Sequence, residues 1–221
     1  MKERYFTKQS LNLQAKELYQ LVAAIAQKKQ LDYMPAKSAL LVLDMQAYFL
    51  NPVSHAYIPS AEAIVGGIIQ LIKEYASHGW PVIFTQHINT QQDSGMMSLW
   101  WKDIITAQNP RHQIVPEIHM SVGEVIQKSQ YDAFYLTPLE ENLRGKGVTQ
   151  VVICGVMTHL CCETTARSAF MRGFEVFFPV DGTATYNLAY HRASLLNLAH
   201  GFASVMLMED IFKVIRGEHE S

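Results

Sequence analysis

The residues best placed to do chemistry are Cys161, Asp44 and Lys128. Cys161 lies in the segment Cys154-Gly155-Val156-Met157-Thr158-His159-Leu160-Cys161-Cys162. That segment follows the apolar run Val151-Val152-Ile153 and precedes a helical pattern from Glu163 to Met171, so it reads as strand, sharp turn and helix. A cysteine in the first turn of a helix faces free backbone N–H groups and the positive end of the helix dipole, both of which favour the thiolate, the reactive form. Cys154 and Cys162 read as small buried residues, the commonest use of a free cysteine. Asp44 follows the run Ser38-Ala39-Leu40-Leu41-Val42-Leu43, and Lys128 ends Glu124-Val125-Ile126-Gln127. A thiol of pKa ~8.5 is mostly protonated at neutral pH. A neighbouring ammonium stabilises its thiolate. A carboxylate within reach can take the thiol proton and return it to a leaving amine. Attack on a carbonyl carbon creates an oxyanion, which the backbone amides of the Gly155–Cys161 turn are placed to receive. Together these groups supply nucleophile, acid–base and charge stabiliser for hydrolysis of a C–N bond.

The elements that must carry them alternate along the chain. Strands are expected at Ser38–Leu43, Pro81–Thr85, Glu124–Lys128, Gln150–Ile153, Phe174–Phe178 and Ala203–Leu207. Helices are expected at Ile64–Tyr75, ended by Gly79, at Pro138–Arg144, capped by Thr137, and at His159–Arg172, Tyr190–His200 and Glu209–Ile215. This alternation predicts an α/β fold whose mainly parallel sheet is covered on both faces. Ligands of such sheets bind beyond the carboxyl ends of the strands, where Asp44, Lys128 and the Gly155–Cys161 turn all fall. Ahead of the first strand, residues Leu11 to Lys29 form an amphipathic helix that packs on the body or on a partner subunit. The division expected is therefore a helical extension over 1–36 and a catalytic domain over 37–221. Gln86 to His119 has little periodicity and reads as a loop over the site, with Trp100 and Trp101 as caps.

Bulk properties narrow the class. A chain of 221 residues, 49% hydrophobic, can bury a sizeable core. A formal net charge of -2 provides no basic face for nucleic acid. The longest apolar run, Ala39 to Leu43, is too short to cross a bilayer, and the amino terminus lacks the apolar core of a signal peptide. Three cysteines crowded between 154 and 162 cannot frame a disulfide fold, so a reducing cytoplasm is expected.

Several of these segments carry a resemblance. Leu41-Val42-Leu43-Asp44-Met45-Gln46-Ala47-Tyr48-Phe49 resembles the first signature of the isochorismatase-like cysteine hydrolases. Lys128 with Tyr131-Asp132-Ala133-Phe134 resembles the second, Gly155 to Cys161 with Thr165-Ala166 the third, and Asp181 after Val180 a further motif. The order is that of the family, and the matches span about Ser38 to Met208. The resemblance implies a three-layer α/β/α, Rossmann-like fold with a six-stranded sheet and the catalytic triad Asp44, Lys128 and Cys161. It implies a cis Val156–Met157 peptide, which turns the Met157 amide, with that of Cys161, toward the oxyanion. Phe49 and Phe134 match positions that line the family's substrate pocket, and Gln86 and Trp100 are expected there as well. A homodimer or homotetramer is implied, with a small molecule as the partner.

Departures from the family pattern bear on activity. True isochorismatases carry no cysteine at the place of Cys161 and cleave a vinyl ether, so Cys161 counts against that reaction. Nicotinamidases of this fold hold a metal through an Asp and histidines after the second strand. Here the stretch reads Thr85-Gln86-His87-Ile88-Asn89, with His87 where the Asp would stand and Asn89 where a His would stand. His55 and His87 alone are a poor ligand set, so no metal and no cofactor are expected. The expectation is an amidohydrolase for a small amide, ureido or carbamoyl compound, working through a thioester. Its rivals are a vinyl-ether or nicotinamidase-like hydrolase on the same fold, and a redox-responsive binding protein using Cys161-Cys162 as a sensor.

Overall fold

A strand turns successive side chains to opposite faces, so an unbroken buried run needs cover on both sides. Every residue is buried in β1 (Ser38–Leu43), β2 (Val82–His87) and β4 (Gln150–Val156) of the computed structural model, which describes residues 1–26 and 31–218. With β3 (Glu124–Lys128), β5 (Glu175–Pro179) and β7 (Ser204–Met206) they form a sheet in the order β3-β2-β1-β4-β5-β7. Every pairing is parallel. A seventh strand, β6 (Thr183–Ala184), pairs with the carboxyl end of β4. Six strands were expected; a two-residue strand carries no periodicity by which a sequence could reveal it.

The covering helices follow from their apolar stripes. α3 (Ala61–Ser77) buries Ala61, Ile64, Ile68, Leu71, Ile72 and Tyr75 at helical spacing and lies against β1, β2 and β4. Gly79, at φ +69°, ends it as expected. α6 (Glu163–Met171) packs on β5, and α7 (Leu188–Gly201) on α6 and β7. α8 (Met208–Arg216) packs on α3. Of the shorter helices, α2 (Ala47–Leu50) follows β1, α4 (Met97–Trp100) interrupts the expected loop, and α5 (Leu139–Gly145) begins just beyond Pro138. The amino-terminal helix, α1 (Leu11–Ala26), buries Ala15, Leu18 and Val22 against α7 and β7 of its own chain, while Leu13 and Leu21 stay exposed. Its expected continuation to Lys29 lies outside the described residues. Among the described residues no helix is long and apolar enough to cross a membrane.

The connection after β1 runs to β2 on one side, whereas β4 lies on the other. The strand order therefore reverses between β1 and β4, the place where open parallel sheets form a crevice. At their carboxyl ends Leu43 is opposite Gly155. Gly155 has φ +115°, and a Cβ there would stand 2.1 Å from the Leu43 carbonyl oxygen. Only glycine satisfies both the backbone angle and the contact. We expect Gly155→Ala to lower stability by at least ~3 kcal/mol, read as a Tm fall of about 6–12 °C in a chain of this size. A thermal unfolding curve that coincides with the parent would show that the strands can part without cost.

Candidate active site

Three strand ends deliver the site. Asp44 leaves β1 at φ 52°, in the left-handed region that few non-glycine residues occupy. Its Oδ1 accepts a hydrogen bond from Thr85 Oγ1 at 2.7 Å, and its own amide donates to the same hydroxyl at 3.1 Å. Lys128 ends β3, two strands from β1 and so ~10 Å away. Its long side chain crosses the end of β2, where His87 is its register partner. The ammonium reaches Asp44 Oδ2 at 2.7 Å, with both side chains fully buried. It also donates to the Gln130 carbonyl at 3.0 Å and to Cys161 Sγ at 3.4 Å, and lies 3.4 Å from His87 Nδ1.

Cys161 is in a single π turn, Thr158–Cys162, that precedes α6. A regular α-helical first turn was expected; instead the Met157 carbonyl accepts from the amides of both Leu160 and Cys162, at 3.1 and 3.2 Å. The wider turn brings Cys161 to the wall of a cavity, while Cys162 and Cys154 stay wholly in the core. The Val156–Met157 peptide is cis, as expected.

The electrostatics differ from those expected for the thiol. Burial raises the Cys161 thiol, Asp44 raises it further, and Lys128 only partly opposes them, leaving it at about 12. Together these influences favour the neutral thiol over the thiolate. Burial would also raise Asp44, but the Lys128 ammonium, with His87 and the Cys161 thiol, holds the carboxyl below its ordinary range. Burial disfavours the Lys128 charge, yet Asp44 and Cys161 outweigh it and hold the ammonium above its ordinary value. His87 is lowered to about 4 by burial and by Lys128, so it is neutral. Its Nε2–H donates to Asn89 Oδ1 at 2.8 Å, leaving the Nδ1 lone pair toward the ammonium. Asp44 Oδ2 has the ion contact but no aligned hydrogen bond from any described residue. The Cys161 sulfur lies within 4.8 Å of this carboxylate.

The cavity holds about 180 Å³. Phe49, Trp101, Tyr131, Met157, Leu160 and Tyr186 form apolar walls, with Cys161 and His87 among the lining residues. One wall is polar: Tyr48 donates to Asp103, and His55 Nε2 is 3.2 Å from the same carboxylate.

Of the pocket residues expected from sequence, Phe49 is in the wall and three are elsewhere. Gln86 turns its amide to the His112 carbonyl at 2.9 Å. Trp100 is 76% exposed, and its neighbour Trp101 takes the wall position, its indole N–H held by Tyr131 OH at 2.7 Å. Phe134 stacks on Phe174, the Arg172 guanidinium lies over its ring, and it is not among the residues that line the cavity. Thr85, Gln46, Tyr131 and Asp103 went unread. Gln46 Oε1 accepts from the His87 amide at 2.8 Å and so fixes the end of β2.

Among the described residues the one group of three metal-ligand types is Asp44, His87 and Cys161, whose donor atoms lie within 4.8 Å of one another. These donors already surround the Lys128 ammonium at 2.7, 3.4 and 3.4 Å. A metal ion would have to displace that charge, and Asn89 is occupied with His87, so the set does not fit the metal of a nicotinamidase.

Residues 38–210 match the model of the Isochorismatase domain. The chain is 40% identical over 185 residues to Nicotinamidase 3 of Arabidopsis thaliana, an alignment covering 81% of this chain and 89% of that protein. Its fold matches a cysteine hydrolase from Pseudomonas syringae pv. phaseolicola 1448A with a TM-score of 0.81 at 26% identity, covering 86% of this chain and 97% of that one. N-carbamoylsarcosine amidase from Thermoplasma acidophilum matches with a TM-score of 0.69 at 25% identity, covering 78% and 97%.

Removing either partner of the Asp44–Lys128 pair leaves the other charge buried and unpaired. We expect Asp44→Asn and Lys128→Met each to cost about 3–5 kcal/mol in urea denaturation, and the double variant far less than their sum. The signs of the two shifts set the pH window. A lowered carboxyl stabilises above its unfolded value, ~3.9, and loses this as pH falls through the folded value. A raised ammonium stabilises below ~10.4 and loses this only above it. The coupling should therefore be flat across neutral pH. Additive costs would mean that the two charges do not depend on each other.

Proposed function

The chain belongs to the isochorismatase family of hydrolases, and from that premise we propose that it cleaves the C–N bond of a small carboxamide with Cys161 as nucleophile. The observation that carries this is the meeting of Cys161, Asp44 and Lys128 at the wall of a small, largely aromatic cavity. Asp44 accepts the thiol proton as Sγ attacks the carbonyl carbon, so charge moves from a carboxylate to the oxyanion. Lys128 remains protonated and favours both the ionised carboxylate and the developing negative charge. The Met157 and Cys161 amides receive the oxyanion. Protonated Asp44 then delivers its proton to the departing amine, the C–N bond breaks and a thioester remains. Water, deprotonated by Asp44, opens the thioester and restores the thiol.

A planar aromatic amide suits the walls formed by Phe49, Trp101, Tyr131 and Tyr186. With 40% identity to a nicotinamidase, nicotinamide is the first substrate to test, and small ureido and carbamoyl compounds follow. Presence of Cys161 speaks against the vinyl-ether reaction. Three free cysteines favour the cytoplasm, and the exposed Leu13 and Leu21 favour assembly into a homodimer or homotetramer. Residues 1–36 serve as an extension to a hydrolase domain beginning at 37.

Ammonia release from nicotinamide and a panel of small amides tests the reading. Cys161→Ala should abolish release with the fold retained, while Cys162→Ala keeps most of it. Exhaustive chelation should leave the rate unchanged, because the donors of the one candidate metal group among the described residues already serve Lys128. Equal loss in both cysteine variants would remove Cys161 from its role, and a rate lost with chelator and restored by zinc would point to a metal-dependent enzyme.

A further inference from the structure

The turn that bears Cys161 is held from behind by a network that joins residues of the matched domain to Tyr5, which lies ahead of it. Thr158 is buried in that turn, one residue after Met157. Its hydroxyl donates to Thr183 Oγ1 at 3.1 Å and lies 3.0 Å from His191 Nδ1. The same Nδ1 is 3.1 Å from the hydroxyl of Tyr5. Tyr5 OH in turn accepts the Thr185 amide at 2.9 Å. Tyr5 is buried, and its ring packs on those of Phe6 and His191. His191 is wholly buried, and burial lowers it to about 3, so it is a neutral hydrogen-bonding bridge. The chain before Tyr5 grips two segments of the cavity wall. Glu3 donates its amide to the Tyr186 carbonyl at 2.7 Å, and Lys2 lies over the Tyr186 ring and donates to the His55 carbonyl. Tyr186 and His55 both line the cavity.

We propose that Tyr5, contributed by the amino-terminal extension, is a positioning residue for the active-site turn, acting through His191 on Thr158. The proposal rests on the amidohydrolase reading only for its catalytic consequence. Met157 and Cys161 flank Thr158 in a turn whose wide hydrogen bonding is shared by a single carbonyl. Such a turn has few internal bonds to hold its shape, and the contacts of Thr158 with Thr183 and with the His191 Nδ1 that it shares with Tyr5 supply a second set. Tyr5 is absent from the cavity wall, so its effect reaches the substrate only through the placement of the turn. Loss of placement lowers turnover while leaving substrate affinity nearly unchanged.

The test is Tyr5→Phe in the full-length protein, which removes one hydroxyl and keeps the packed ring. Hydrogen–deuterium exchange followed by mass spectrometry should show about 10-fold faster exchange in the peptide spanning 157–162, with the 38–43 strand peptide unchanged. With an amide substrate, kcat should fall about 10-fold and KM stay within about two-fold. Thr158→Val should reproduce the local exchange, and Thr158→Ser, which keeps the hydroxyl, should restore protection. These two variants decide the matter even if Tyr5→Phe folds poorly. If no amide is hydrolysed by the parent, the function reading fails, but the exchange result still judges Tyr5. Exchange that is unchanged at 157–162, or that rises equally in both peptides, would overturn the proposal, as would an unchanged kcat.

Discussion

Everything at this site follows from one buried ion pair, the Lys128 ammonium at 2.7 Å from the Asp44 carboxylate with neither side chain exposed to water. Two charges taken from water are costly, and they persist only where geometry and further hydrogen bonds compensate. Here Thr85 occupies one carboxylate oxygen, the Gln130 carbonyl accepts from the ammonium, and Gln46 fixes the strand end that carries His87. The pair in turn decides the state of the thiol. The lowered carboxyl and the raised thiol favour an ionised Asp44 beside a protonated Cys161. The site thus resembles a general-base design more than a preformed thiolate.

The sheet exists around that pair in a specific sense. β1 and β3 are separated by β2, a spacing that a lysine can span and a shorter cation cannot. The reversal of strand order between β1 and β4 opens the crevice into which the Thr158–Cys162 turn descends. Gly155 allows β4 to come against β1 at that level, and the cis Val156–Met157 peptide follows directly. The amino-terminal segment then braces the same turn from the opposite side through Tyr5 and His191.

Much of this was legible in the residues themselves. Five of the six main strands announced themselves by apolar runs, β3 only by the short Val125-Ile126 pair, and the convergence of Asp44, Lys128 and Cys161 followed from their places at strand ends. What escaped reading has physical causes. Trp100 and Trp101 are adjacent in an irregular stretch, where no periodicity says which one turns inward. Gln86 lies on β2, one residue beyond the strand end expected, and the alternation of the strand sends it away from the cavity. Phe134 is taken up by Phe174, a partner far along the chain. For the thiol, the helix terminus, the ammonium and the carboxylate were all legible in the sequence, whereas its complete burial, the largest influence raising it, was not. Tyr5 and His191 are 186 positions apart, and only the folded chain brings them together.

The charge state of Cys161 tests the account most directly. Cys154 and Cys162 are both raised by burial, so thiolate absorbance in the ultraviolet near neutral pH can come only from Cys161. A pH titration of the parent against Cys161→Ala isolates it. The account predicts no difference at neutral pH, with thiolate from Cys161 emerging only in strongly alkaline solution. A thiolate signal at neutral pH that vanishes in Cys161→Ala would contradict it, since Asp44 could then not be the group that takes the thiol proton.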